Sequence, residues 1–293
     1  MNADFWNDKA EWLKTIRTGW LNEDYIQFLI EKVWRINKPV NIVDFGCGFG
    51  YVGLIFLPLL PKGSTYTGID ISENLIKEAK SIFQDSGYDI NFIQVDLNEY
   101  QPVCKYDIAI SQAVLRHIPN AETILGKMIK SVLTGGFVIC METDLELEKA
   151  GLYFKGMNYG ELGITALMRK LWEKELSNGG RDYRFAIKIP ALMQEYGLHD
   201  VGVRMNDSVY FIHPNNPNYI QELETLSSAW GWRSPLTEED RDTFVNSLMS
   251  KGLDENEAEA YFRGEQKIRE YMSQKNTASV VKAPCTLISY GIR

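Results

Sequence analysis

Five short apolar runs, "VNIVDF", "TYTGID", "INFIQVD", "YDIAIS" and "GFVICMET", punctuate the first half of this 293-residue chain, with helical signals between most of them. Their hydrophobicity is continuous rather than alternating. A strand of that kind must bury both faces, which a parallel sheet achieves when helices cover it on each side. The expected fold class is therefore α/β, a doubly wound Rossmann-like sheet. The helices carry their own marks. Ser72 is a plausible N-cap for a helix with Leu75, Ile76, Ala79, Ile82 and Phe83 on one side. Gly50 to Leu57 reads as a short helix stopped by Pro58 and Pro61, and Ala121 to Leu133 as another.

The chain on either side of these runs has a different texture. Residues 1–38 look helical: Trp12, Ile16 and Trp20 recur at helical spacing, and Asn22 to Trp34 is amphipathic. After Thr143, residues 146–184 carry helical stretches, "KIPALMQEYG" reads as a helix and "DVGVRMNDSVYFI" as a strand. Residues 214–276 are acidic with helical spacing, and "SVVKAPCTLISYGI" closes the chain as a strand. Without a repeat or a Gly/Ser linker, the expected organisation is an N-terminal helical cap segment, 1–38, and a core, 39–293, with helical insertions at about 146–184 and 214–276.

"VDFGCGFGYVG", residues 43–53, joins the first strand to a glycine-dense turn and fits two templates. Gly46, Gly48 and Gly50 form G-x-G-x-G, while Gly48, Gly50 and Gly53 form the dinucleotide fingerprint G-x-G-x-x-G. Three aspartates narrow the choice. Asp44 ends the first strand, where a pyrophosphate would be repelled and an ammonium would gain a charge-assisted hydrogen bond. Asp70 ends the second strand, at the place for gripping ribose hydroxyls, and Asp96 ends the third, within reach of an adenine amino group. Each alone could be a simple cap. Together, at successive strand ends, they describe S-adenosylmethionine: an ammonium, a ribose and an adenine with no phosphate between them.

With these motifs the chain resembles the class I S-adenosylmethionine-dependent methyltransferases over roughly residues 40–145, in the small-molecule branch that includes ubiquinone/menaquinone-type enzymes. "VDFGCGFGYVG" is similar to their first motif, "GIDIS" to their acidic ribose loop, "VDLNEY" to their adenine-side motif, "YDIAISQAVLRHIPN" to the fourth strand and its loop, and "GGFVICMETD" to the strand that follows. The resemblance implies a seven-stranded sheet in order 3-2-1-4-5-7-6 with the seventh strand antiparallel. It also implies that Gly46, Cys47, Gly48 and Gly50 lie beneath the methionine moiety and that Asp44 faces its amino group. Asp70 would hold the ribose, Ile71 pack on the adenine, Asp96 accept from the adenine amine and Leu97 offer a backbone N–H. Ser111 and Gln112 would lie close to the sulfonium.

Net charge −8 argues against a nucleic-acid partner, whose affinity comes mainly from neutralised phosphates, and the Asn/Asp-Pro-Pro-aromatic motif of amino-directed nucleic-acid methyltransferases is absent. Cys47, Cys104, Cys140 and Cys285 lack metal-ligand spacing, so no metal is expected, and the longest apolar run is too short to span a bilayer; a cytoplasmic location is the expectation. Phe5, Trp6, Trp12, Trp20, Tyr153, Phe154, Tyr159, Tyr183, Trp230, Trp232 and Tyr261 crowd the regions outside the motifs; most are expected to be core of the helical cap and a minority to line an acceptor pocket, which would make the expected partner a small organic acceptor, apolar or aromatic. His117 is the candidate general base, with Glu142 and Asp144 as alternatives, and Arg181 and Arg184 are candidates for binding an acceptor carboxylate. A nucleotide-dependent oxidoreductase and a non-catalytic S-adenosylmethionine-binding protein remain the competing readings.

Overall fold

The computed structural model describes residues 3–17, 20–102, 106–158, 164–275 and 277–293; Cys104 and Tyr159 lie outside them. Ten strands follow in chain order: β1 Asn41–Phe45, β2 Thr65–Asp70, β3 Asp89–Gln94, β4 Tyr106–Gln112, β5 Val132–Thr143, β6 Leu152–Phe154, β7 His199–Met205, β8 Tyr210–Ile212, β9 Val280–Lys282 and β10 Thr286–Ile292. The helices used below are α1 Ala3–Asn7, α2 Ala10–Arg17, α3 Glu23–Phe28, α4 Tyr51–Phe56, α5 Glu73–Phe83 and α6 Ala121–Ser131.

Seven strands make one sheet in the order β3-β2-β1-β4-β5-β10-β7. Neighbours from β3 to β5 are parallel, while β10 runs antiparallel to both β5 and β7. This is the sheet expected from the sequence, with β7 and β10 as the sixth and seventh strands. Successive residues of the central strands feed opposite cores. Ile42, Ile108 and Ile110 join one apolar cluster with Trp34, Phe56 and Tyr66, and Val43, Phe45 and Ala109 join the other with Leu125, Met128 and Ile189. That two-sided burial is why these strands read as unbroken apolar runs. The order reverses between β1 and β4, so their connections leave toward opposite faces and open a crevice at the strands' carboxyl ends.

The chain divides into two compact units. The first holds the seven-stranded sheet and comprises residues 1–144, 183–208 and 285–293. The second, residues 145–182 and 209–284, has its own antiparallel sheet in the order β6-β9-β8 and its own core around Phe154, Leu223, Trp232, Ile268 and Met272.

The structure departs locally from the sequence reading in four places. "DVGVRMNDSVYFI" forms two strands in two sheets: Asn206 N–H still donates to Thr286 O of β10 at 2.8 Å while its Nδ2 turns to Trp20 O at 2.9 Å, and Tyr210–Ile212 pair with β9 instead. "SVVKAPCTLISYGI" is likewise split, since Pro284 has no N–H to donate and Cys285 takes a left-handed φ of 51°. The helix expected to reach Leu133 stops at Ser131, and Val132 already pairs with Tyr106. The two helices read in residues 1–38 become α1, α2 and α3, with the last continuing as a π-turn through Leu29–Val33.

Candidate functional site

The carboxyl ends of β1, β2, β3 and β4 surround one cavity within the first unit. Its walls hold Asp44, Gly46, Cys47, Gly48, Asp70, Ile71, Asp96, Leu97, Gln112 and His117, which the sequence singled out. Trp6, Trp12, Ile16, Arg17 and Trp20 from the N-terminal segment and Arg116 from the loop after β4 line it too. Gly50 and Ser111 are not among the lining residues. Gly50 starts α4 at φ 85°, and a Cβ there would meet the Phe83 ring at 2.7 Å. Ser111 is fully buried and donates its hydroxyl to Glu142 Oε1 at 3.2 Å.

The glycine turn uses its amides internally. Gly46 and Cys47 N–H both donate to Ile69 O, at 2.8 and 2.9 Å, and Gly50 N–H to Cys47 O at 2.9 Å. Gly48 N–H donates to Asp70 Oδ2 at 2.9 Å. A phosphate-binding turn presents such amides to its anion, and these four are already spent. The loop is instead held close to β2, with Gly46 at φ 77° and its hydrogen facing Val114; a Cβ there would lie 2.5 Å from Val114 Cγ2. Gly53, which completes the dinucleotide template, serves packing: its Cβ would come within 3.1 Å of the Tyr66 ring.

Asp44 is 1% exposed at the tip of β1. Its Oδ2 accepts from Tyr66 Oη at 2.6 Å, whereas its buried Oδ1 has no hydrogen-bond partner. Burial pushes its carboxyl up to about 7, the Tyr66 hydroxyl opposes that, the Asp70 charge adds to it and Arg17 pulls it back. A carboxylate oxygen orphaned in a cavity is a costly arrangement that a cation would relieve.

Asp70 sits one strand over. Its Oδ1 accepts from Ser72 N–H at 2.8 Å and its Oδ2 from Gly48, so it fastens the glycine turn to the start of α5. Burial raises its carboxyl, with the N–H groups of Ser72 and Gly48 pulling the other way. Each oxygen has a further lone pair. Asp96 Oδ1 accepts from Asn98 N–H and Nδ2 at 2.8 and 2.9 Å. The Gln112 side chain is 6% exposed and its Nε2 is buried without a partner. Burial, together with the charges of Asp44 and Asp70, holds the Cys47 thiol well above its ordinary range, so it is a neutral, inert wall.

On the far wall His117 stacks edge-on against Trp6 at 5.4 Å, and its Nε2 accepts from Arg116 Nε at 3.3 Å. In the neutral ring an accepting Nε2 leaves the proton on Nδ1, so Nε2 can take another proton only once Arg116 moves away. The alternative bases are structural. Glu142 is absent from the cavity lining; its carboxylate gathers the loop after β4 by accepting from Val114 N–H at 3.1 Å, Leu115 N–H at 3.2 Å and Ser111. Asp144 is fully buried against Arg184 at 3.2 Å. Arg184 is thereby engaged, and Arg181 pairs with Glu175 at 2.6 Å within the second unit.

Three functional candidates were missed by sequence reasoning: Tyr66, Arg17 and Arg116. Arg17 had a legible signal. It stands four residues after Leu13 on the apolar stripe of α2, and both side chains are buried. Of the aromatics noted in the sequence, Trp6, Trp12 and Trp20 line the cavity, while Phe154, Trp230, Trp232 and Tyr261 belong to the second unit's core. Among the described residues no acidic, cysteine or histidine cluster could hold a metal ion, and no helix is long and apolar enough to cross a membrane.

Residues 36–177 match the family model described as a methyltransferase domain. Among curated proteins the chain is similar to the ubiquinone biosynthesis O-methyltransferase of Rickettsia prowazekii (strain Madrid E), 28% identical over 52% of this chain and 59% of the relative. The same enzyme from Rickettsia akari (strain Hartford) is 27% identical over 47% of this chain and 55% of the relative. The chain thus spans somewhat more than half the length of these relatives. Among solved structures, a candidate methyltransferase of Bacillus halodurans C-125 aligns with TM-score 0.50 at 12% identity, covering 91% of this chain and 97% of that one. That likeness bears on the fold alone.

Proposed function

We infer function from one premise, that the chain belongs to the class I S-adenosylmethionine-dependent methyltransferases. On that premise we propose that it transfers a methyl group from S-adenosylmethionine to a small organic acceptor. The observation that carries the donor assignment is Asp44: a buried carboxylate with an unpartnered Oδ1 on a cavity wall, beside a glycine turn whose Gly46, Cys47, Gly48 and Gly50 amides are already engaged.

The residues present fit the donor. Asp44 would accept from its ammonium, with Tyr66 fixing the carboxylate's rotamer through Oδ2. Gly46, Cys47 and Gly48 would floor the methionine moiety; a Cβ on Gly48 would meet nothing within 4 Å, so the turn is open there to a ligand. Gly50 would act from behind, by closing the turn. The spare lone pairs of Asp70 suit a ribose diol. Ile71 and Leu97 offer apolar faces for the adenine, and Asp96 an acceptor for its amine. Gln112 Nε2 is a further donor on the same wall, and Ser111 would support it indirectly by tying β4 to Glu142. The donor supplies a methyl group made electrophilic by its sulfonium.

The protein's remaining task is placement, and proximity and orientation can supply roughly 7–11 kcal/mol of barrier lowering. Trp6, Trp12, Ile16 and Trp20 give the acceptor side an apolar and aromatic wall that excludes water. This favours an apolar or aromatic acceptor, and it gives the N-terminal segment a role as cover. His117 serves as base only for an acceptor that must lose a proton, and only after parting from Arg116. A cytoplasmic location belongs to the same reading.

The test is transfer of a labelled methyl group from S-adenosylmethionine to a panel of aromatic and apolar alcohols, amines and thiols. Transfer by the wild type and its loss in Asp44→Asn supports the proposal. Tight donor binding with no transfer across the panel would favour a non-catalytic binding protein.

A further inference from the structure

The second unit keeps a lysine that no oxygen holds. Lys149, on helix α7 (Leu145–Ala150), is half-buried, and its Nζ lies 3.7 Å from the Trp230 ring centroid and 5.7 Å from that of Trp232. A second ammonium shares the same indole: Lys282 Nζ is 5.3 Å from the Trp230 centroid and 5.8 Å from that of Tyr210. Among the described residues the Lys149 charge has no hydrogen bond or ion pair, and only the aromatic faces favour it by direct contact. An indole face replaces only part of what water gives an ammonium.

The acids nearby are engaged elsewhere. Glu265 is buried, accepts from Trp232 Nε1 at 3.1 Å and lies 3.7 Å from Arg269 Nε. Glu148, also buried, has Lys282 at 3.8 Å. Both acids favour the Lys149 ammonium through space alone, and the Lys282 charge works against them. Burial outweighs the acids and brings the amine down from an ordinary 10.5 to about 8. A lysine in this setting sheds its proton near neutral pH, and the cation becomes a nucleophile.

We propose that Lys149 is a nucleophilic amine that forms an imine with a small aldehyde or ketone. A desolvated amine with a second cation beside it is the arrangement that suits a lysine to this chemistry, and both parts are present. The free amine adds to the carbonyl carbon, and the C=O π pair moves to oxygen. The nitrogen's two protons then leave with that oxygen as water and a C=N bond remains, so no oxidant or reductant is consumed. The Lys282 ammonium on the same indole favours the negative charge that gathers on oxygen as the carbonyl opens. Half-burial leaves Lys149 open to a small reactant. This chemistry needs neither S-adenosylmethionine nor the cavity at the strand ends.

The experiment treats the whole chain with propanal and cyanoborohydride, which reduces each imine to a stable secondary amine, and follows the lysines by peptide mass spectrometry. Lys32, Lys77 and Lys275 are exposed and serve as internal references. A fall from 10.5 to about 8 raises the free-amine fraction at pH 7 by about a few hundredfold, and crowding takes back part of that. Lys149 should therefore be alkylated about tenfold or more faster than the references at pH 7. Its lead should shrink toward pH 9.5, where ordinary amines also lose their protons, whereas an advantage of access alone would be the same at every pH. Glu265→Gln keeps an acceptor for Trp232 and removes the acid that most favours the ammonium, so it should raise the Lys149 rate at pH 7.

A Lys149 rate no greater than the references overturns the proposal. So does a lead that is constant with pH, or a rate that Glu265→Gln leaves unchanged or lowers. Should Glu265→Gln fail to fold, as judged by circular dichroism, the wild-type rate and its pH dependence decide alone.

Discussion

Replacing Asp44 with asparagine should make the ligand-free protein more stable in alkaline buffer while destroying donor binding. The carboxyl is pushed from an ordinary 3.8 up to about 7 by burial. The folded chain therefore holds a proton that the unfolded chain releases between those values. Stability from this group is complete below pH 4 and lost as pH rises through 7. Three pH units correspond to about 4 kcal/mol over the whole window, of which roughly 2–3 kcal/mol falls between pH 5 and 8. Asparagine never ionises and does not suffer that loss. Its amide nitrogen stays unpartnered at a cost of about 1–3 kcal/mol, but this cost is independent of pH, so the slope is diagnostic. Urea unfolding of both proteins at pH 5 and pH 8 measures it. For the ligand, removing one partner of a buried charged pair should cost about 2–4 kcal/mol, or some 30-fold to several hundredfold in S-adenosylhomocysteine affinity. In the wild type that affinity should fall about tenfold for each pH unit below 7, as the carboxylate protonates. Equal pH slopes for the two proteins, together with unimpaired binding by Asp44→Asn, would refute the reasoning.

Other outcomes follow from the same geometry. Gly46→Ala combines a left-handed φ of 77° with a Cβ 2.5 Å from Val114, so it should destabilise the fold by about 2–4 kcal/mol in denaturant titrations. Gly48→Ala has φ 55° and open space, so it should cost about 1 kcal/mol of stability yet lose donor affinity, because its methyl would project into the cavity. Glu142→Ala leaves the donors of Val114, Leu115 and Ser111 without their acceptor and should lower stability by about 3–5 kcal/mol, with Glu142→Gln milder. His117→Ala should leave S-adenosylhomocysteine binding unchanged and slow transfer only to acceptors that lose a proton, a split that kinetics on paired protic and aprotic acceptors would reveal.

Much of the core was legible because burial on both faces writes an unmistakable pattern. β1 and β4 place successive residues in opposite clusters, and that is what "VNIVDF" and "YDIAIS" display. The aspartates at the strand tips were legible for a related reason: a charge ending an apolar strand sits where a parallel sheet collects its ligands. What stayed hidden depended on partners far away in sequence. Glu142 looks like a base until Ser111, Val114 and Leu115 are seen to use its oxygens. Tyr66 reads as an ordinary strand residue, yet its hydroxyl fixes Asp44 from the neighbouring strand. Arg17 looks solvated in sequence because arginine usually is, and its spacing from Leu13 on the buried stripe of α2 is the one mark against that reading. The small sheet of the second unit escaped because β6, β8 and β9 have three residues each, too few to show a period.

The account turns on which ligand the Asp44 cavity accepts. Parallel calorimetric titrations of S-adenosylhomocysteine and NADH into the wild-type protein at pH 8 address it most directly. Saturable binding of S-adenosylhomocysteine at one site, with no heat from NADH, is the predicted result. Binding of NADH with none of S-adenosylhomocysteine would contradict the account, for it would put phosphates beside a carboxylate that should repel them, on a turn whose Gly46, Cys47, Gly48 and Gly50 amides are already engaged.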